Sequence, residues 1–244
     1  MPVRRWGLVL ALIAAIAGSI AVTAPQLWSQ SDPGSRSPTP TTARADGKAQ
    51  RREHTPRRER PEPTRIQWRD SRAIGLPHAG SLRGGVRLPR DGAHYFTWDP
   101  IRKQRPNRPW RRWGTADLVR VTLEVVRDYA AANPRAPRVA VGDLSRPHGG
   151  DFGPEFGRPG HVSHQNGLDV DLYYPREDGR EVAPASADQI DQRLSQDLVT
   201  RFVEAGAEKV FVGPNTGLTG PPEVVVPLVN HDNHLHVRLP GLTR

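Results

Sequence analysis

The chain of 244 residues contains no cysteine. That absence excludes disulfides, thiolate metal sites and cysteine nucleophiles. Any metal ion must then be held by His, Asp or Glu. Lysine is scarce: Lys48, Lys103 and Lys209 are the only three, so the 35 basic residues are almost all arginine. No internal repeat is visible. Residues 29–65 lack large apolar side chains almost entirely and are rich in Ser, Thr, Pro, Arg and Glu. Such a segment cannot bury enough surface to fold, so it reads as a disordered tether.

What is present divides the chain into three parts. In residues 1–28, Arg4 and Arg5 precede an uncharged, mostly apolar run over 7–24. A basic start, an apolar core and a small-residue site at Val22-Thr23-Ala24 make a secretory signal. Eighteen residues also approach the length that spans a bilayer, and Pro25 disfavours cleavage, so signal peptide and signal anchor stand as alternatives. Either places the remainder outside the cytoplasm, on the periplasmic or cell-wall side. Residues 29–65 carry nine basic and five acidic residues, a charge of +4 that suits anionic wall polymers or a membrane surface. Residues 66–244 form the folded domain. Their 24 basic and 21 acidic residues leave only +3, which argues against nucleic acid as a partner, since that requires a concentrated basic face.

Within the domain, 71–100 is rich in Gly and Pro and reads as turns and short strands such as Val86-Arg87-Leu88. Apolar residues at helical spacing, with Thr115 as cap, predict a helix over 115–132 that Asn133-Pro134 ends. A second helix is expected over 195–205 with Gly206 as its stop. Strands are expected at 138–142, 169–173, 209–212 and 235–239. Strands and helices do not alternate regularly, which favours α+β with an antiparallel sheet.

Five of the nine histidines fall in two short stretches, 160–172 (GHVSHQNGLDVDL) and 230–239 (NHDNHLHVRL), each with aspartates. Imidazole and carboxylate are donors that zinc prefers, and the stretches read as two walls of one site. If 234–237 is a strand, His234 and His236 share a face while Leu235 and Val237 point into the core. One of the two histidines then binds metal, and the other stays free for proton transfer. His231 sits just before the strand. Asp169 and Asp171 likewise share a face, and a buried carboxylate is costly unless paired or metal-bound. Gly167 permits a turn that brings His164 back beside Asp171. Together the stretches supply three protein ligands and an open position, the pattern of catalytic zinc, which lowers the pKa of bound water to about 7.

Residues 163–171 (SHQNGLDVD) and 231–238 (HDNHLHVR) closely resemble the penicillin-insensitive murein endopeptidase family. This is a group of zinc metallopeptidases related to lysostaphin-type peptidases, D-Ala-D-Ala metallopeptidases and the hedgehog domain. The likeness extends over the whole domain, taking in Ile74-Gly75 through Leu88-Pro89, Val141-Gly142-Asp143-Leu144 and Gly149-Gly150. The resemblance implies a hedgehog-like or D-Ala-D-Ala-peptidase-like antiparallel sheet flanked by helices. It implies that His164, Asp171 and His236 bind zinc, that His234 is catalytic, and that His231 is a further active-site histidine. His161 matches a residue sometimes treated as an additional ligand. Asp178 and Glu181 stand where the family has a second Asp and His, with Glu181 replacing the histidine. Asp169 is expected to orient a ligand histidine rather than bind metal. Ser145-Arg146-Pro147 resembles the Tyr-Arg-Pro of D-Ala-D-Ala dipeptidases, where the arginine steadies the oxyanion. The chain departs from the enterobacterial family in having no cysteines and in carrying the basic tether.

The implied activity is hydrolysis of peptide cross-links in peptidoglycan by zinc-activated water. Three alternatives stand beside it: a D-Ala carboxypeptidase on uncross-linked stems, a zinc-bearing wall-binding module without turnover, and an anchored structural protein with a basic arm.

Overall fold

The computed structural model describes residues 65–153 and 162–241. The apolar N-terminal run, all of the tether but Arg65, and His161 lie outside them. The elements in chain order are β1 (Arg72–Leu76), β2 (Ala79–Arg83), β3 (Val86–Arg87), β4 (Tyr95–Thr97), β5 (Trp113–Gly114), α1 (Ala116–Ala132), β6 (Val139–Val141), β7 (Asp169–Tyr173), α2 (Gln192–Glu204), β8 (Lys209–Val212), β9 (Val225–Pro227) and β10 (His234–Arg238).

Local chemistry sets the helix ends. Thr115 Oγ1 accepts from Leu118 N at 3.1 Å and caps α1. At the other end Asn133 N–H returns to Tyr129 O, and Pro134 cannot continue the helix. Helix α2 begins before the expected Ser195, because Asp191 accepts from Leu194 N at 2.8 Å and is the true cap. Its chain leaves through Gly206, whose φ of +82° suits glycine.

Six strands form the main sheet in the order β4-β6-β7-β10-β8-β9. Its centre, β6-β7-β10-β8, is antiparallel as expected; the outer strands β4 and β9 pair in parallel. The expected α+β class holds, with a mixed rather than purely antiparallel sheet. Pairs β1-β2 and β3-β5 are separate two-stranded ribbons.

The sheet has two chemically different faces. Val170 and Leu172 of β7, Val210 and Val212 of β8, and Leu235 and Val237 of β10 are fully buried in one apolar cluster with Leu118, Val126 and Tyr129 of α1 and Leu198, Val199 and Phe202 of α2. Each such aliphatic side chain contributes about 1.5–3 kcal/mol by burial. A register slip of one residue would turn Asp169, Asp171, His234 and His236 into this core. The burial energy of the apolar face therefore holds the polar residues on the opposite face. Among the described residues no helix is long and apolar enough to cross a membrane.

Candidate metal centre

Strands β7 and β10 are neighbours, and their register sets His236 opposite Asp171, His234 opposite Tyr173 and Arg238 opposite Asp169. The two histidine-bearing stretches are thus adjacent strands at the centre of the sheet. His164 reaches them from the loop before β7. Its own φ of +68° and the +77° of Gly167 turn that loop back on itself. The space beside Gly167 is filled by Leu82, whose methyl carbons would lie 2.8–2.9 Å from an added Cβ.

One ligand atom each from His164, Asp171 and His236 lie within 4.8 Å of one another, and all three residues are buried. Hydrogen bonds fix which imidazole nitrogens face inward. His164 Nδ1 lies 2.7 Å from Leu144 O. A carbonyl only accepts, so Nδ1 carries the proton and Nε2 presents its lone pair. His236 Nε2 donates to Asp169 Oδ1 at 2.8 Å, which leaves Nδ1 as the lone pair. Both nitrogens lie close to one atom: Asp171 Oδ1 is 3.3 Å from His164 Nε2 and 3.3 Å from His236 Nδ1. That oxygen is buried and accepts no hydrogen bond among the described residues.

Three electron-pair donors converging on one enclosed point are complementary to a cation. The two spacings from Asp171 Oδ1 fit as well. With zinc–ligand bonds of about 2.0–2.1 Å, the edge of a tetrahedron is about 3.3 Å. The electrostatics carry the same demand for positive charge. Burial opposes charge on His164, but the neighbouring Asp171 carboxylate outweighs it and raises the pKa to about 9. Burial pushes Asp171 up, yet the surrounding histidines hold it well below the usual carboxylate range. Burial lowers His236, with Asp169 opposing. Asp169 is driven up by burial and, more strongly, down to about 2 by His236, His164 and Arg238.

His234 stands at the edge of this group. Nε2 lies 3.9 Å from Asp171 Oδ1, and Nδ1 donates to Asn233 Oδ1 at 2.7 Å, so Nε2 carries a free lone pair. Burial lowers its pKa to about 4, although 18% of the side chain remains exposed. His231 stacks on it with ring centroids 4.8 Å apart and donates from Nδ1 to Val229 O at 2.9 Å. Asp232 straps this loop in place: its Oδ1 accepts from Asn215 N at 3.1 Å and its Oδ2 from Asn215 Nδ2 at 2.7 Å. The strap lies against Gly213, where an added Cβ would come within 2.5 Å of Asp232 Cα and 2.6 Å of its nitrogen.

The other expected site residues stand outside the group of His164, Asp171 and His236. Asp178 is held by Arg176 and Arg180 at 2.6 and 2.8 Å. Glu181 is held by Arg105 and Arg138, each at 2.7 Å. Neither joins the cluster of His164, Asp171 and His236. Arg146, partly exposed, donates to Asp151 O at 2.7 Å. Asp169 touches both histidines, through His236 Nε2 and through His164 N at 3.3 Å. His161 lies outside the described residues.

Several supporting residues escaped the sequence reading. Arg111 and Asp143 are fully buried and paired, with Arg111 Nε 2.6 Å from Asp143 Oδ1. Asn107 Nδ2 donates to the same oxygen at 2.9 Å. Asp143 O accepts from Asp171 N at 2.9 Å, and Leu144 N donates to Arg111 O at 2.9 Å. The segment 142–144 is thereby clamped, and its end is the carbonyl that orients His164. The motif around Asp143 was visible in the sequence, but nothing there named Arg111, 32 residues away, as its partner.

Comparison with known proteins gives a consistent result. Residues 73–210, more than half of the chain, match the family model described as penicillin-insensitive murein endopeptidase. The match includes His164 and Asp171 and ends before β10. A protein of that name from Yersinia enterocolitica is 27% identical over 203 residues, covering 68% of this chain and 65% of its own length. One from Haemophilus influenzae is 26% identical over 192 residues, covering 68% and 62%. The chain thus spans less than two thirds of either relative.

Proposed function

Because the chain belongs to the penicillin-insensitive murein endopeptidase family, we propose that residues 66–244 are a zinc-dependent domain that hydrolyses peptide cross-links in peptidoglycan. The observation that carries this reading is the convergence of His164 Nε2, His236 Nδ1 and Asp171 Oδ1 on one buried point. In this reading those three residues would hold the metal, and two imidazoles with one carboxylate are a donor set that catalytic zinc takes. Held by these residues, zinc would supply Lewis acidity toward the scissile carbonyl and toward water.

The chain's own residues carry the rest of the reaction. Water adds to the carbonyl carbon of the cross-link as His234 Nε2 takes its proton. The same histidine returns the proton to the leaving amine nitrogen as the C–N bond breaks. Asn233 fixes the tautomer that leaves Nε2 unprotonated, and burial keeps His234 neutral at physiological pH. His231, stacked beside it, limits its rotation. Arg146, five residues beyond the end of β6, would supply a cation for the developing oxyanion. Residues 1–28 export or anchor the chain, and residues 29–65 tether the domain on the wall side of the membrane, where their charge meets anionic polymers or the membrane surface.

The deciding experiment offers the purified protein a cross-linked dimeric muropeptide and an uncross-linked pentapeptide monomer. The expected result is conversion of dimer to monomers with the terminal D-Ala of the pentapeptide intact. Release of D-Ala with the dimer untouched would instead identify a carboxypeptidase, and no turnover of either a binding module.

Gly213→Ala tests the strap behind His231. The added methyl must displace Asp232, and with it the loop that sets His231 against His234. A shift of about 1 Å in a catalytic group costs up to about 100-fold. Cross-link cleavage is expected to slow at least tenfold with zinc content unchanged; an unchanged rate would show that the loop position does not matter.

A further inference from the structure

Arg238 lies two residues beyond His236 on the same face of β10 and opposite Asp169 of β7. Its Nε donates to Asp169 Oδ1 at 2.8 Å, the same oxygen that accepts from His236 Nε2 at 2.8 Å. The other carboxylate oxygen accepts from His164 N at 3.3 Å. Asp169 therefore touches both histidines of the metal cluster, and Arg238 supplies the guanidinium that pairs with it. The guanidinium also lies over the ring of Phe211, 5.7 Å from its centroid. Phe211 in turn sets its edge to His236 at 5.3 Å and 83°.

From this geometry we infer that Arg238 is a positioning residue that orients His236 for metal binding, acting through Asp169 on one side of the ring and Phe211 on the other. The physical reason is the isolation of Asp169. A fully buried carboxylate with only an imidazole N–H and a long backbone contact is poorly fixed and costly. A guanidinium in a fixed plane neutralises the carboxylate and sets its rotation. The carboxylate then sets the rotation of His236, so that Nδ1 faces Asp171. Groups that orient metal ligands in this way typically change metal affinity by about 10–100-fold when removed. Only 20% of the Arg238 side chain is exposed, so solvent competes weakly for it.

The inference rests on the metal reading above, and the test separates the two. Zn2+ affinity is measured by competition with a chromophoric chelator, and the Co2+ absorption spectrum is recorded, for the full chain and for Arg238→Met, Arg238→Lys and Asp169→Asn. The Met variant is expected to bind Zn2+ at least tenfold more weakly and to alter the Co2+ spectrum. Lysine, which keeps the charge but not the planar fork, should recover part of the loss. In the Asp169→Asn background, Arg238→Met should add less than twofold, because its main route is already cut. If Arg238→Met lowers the melting temperature but leaves Zn2+ affinity within twofold of the unaltered protein, the residue is merely structural and the inference fails. Absence of Zn2+ binding by the unaltered protein would overturn the metal reading itself.

Discussion

Asp171→Asn is expected to abolish zinc binding and with it cross-link cleavage. The substitution is nearly isosteric, so packing around β7 is preserved. What changes is the one oxygen on which His164 Nε2 and His236 Nδ1 converge at 3.3 Å. The amide presents a neutral donor–acceptor pair in place of an anion. Its NH2 can hydrogen-bond an imidazole lone pair, satisfying locally the demand that a cation otherwise meets. The loss of rate should reach at least about 10⁴-fold, since enzymes accelerate their reactions by about 10⁶-fold or more and the proposed mechanism gives most of this to the metal. Zinc content, measured on the same sample, should fall in parallel, while circular dichroism stays that of the unaltered protein. A variant that keeps both zinc and activity would remove Asp171 from the centre.

His234→Ala separates the ligand role from the proton-transfer role. His234 and His236 share a strand face, yet their surroundings differ. His236 is pinned by Asp169 with Nδ1 turned inward, whereas His234 is pinned by Asn233 with Nε2 3.9 Å from the shared oxygen. The expected result is a fall in kcat of about 10²–10⁴-fold, the range for a lost general acid–base group, with zinc content unchanged. Loss of zinc in this variant would make His234 a ligand, and an unchanged rate would give the proton transfer to another group.

The central features of this site were legible in the sequence because strand alternation is a strong local signal. Polar Asp169, Asp171, His234 and His236 interleave with Val170, Leu172, Leu235 and Val237, and the apolar set alone decides which face is buried. That the two stretches form one site follows from their pairing in adjacent strands. Cap chemistry was legible for Thr115, whereas the start of α2 was placed too late, because Asp191 caps it upstream. The supporting contacts were not legible. Arg111–Asp143, Asp232–Asn215 and Arg238–Asp169 join residues 32, 17 and 69 positions apart, and no local pattern encodes such pairings. Nor could composition distinguish Asp178 and Glu181, which arginines neutralise in the folded chain, from carboxylates kept for a metal.

The most direct test of the account is cleavage of a cross-linked muropeptide by protein stripped of metal with a chelator and then resupplied with Zn2+. The account predicts no cleavage after stripping and full recovery at about one equivalent of zinc per chain, the stoichiometry of a single three-ligand site. Undiminished cleavage by the stripped protein would contradict it.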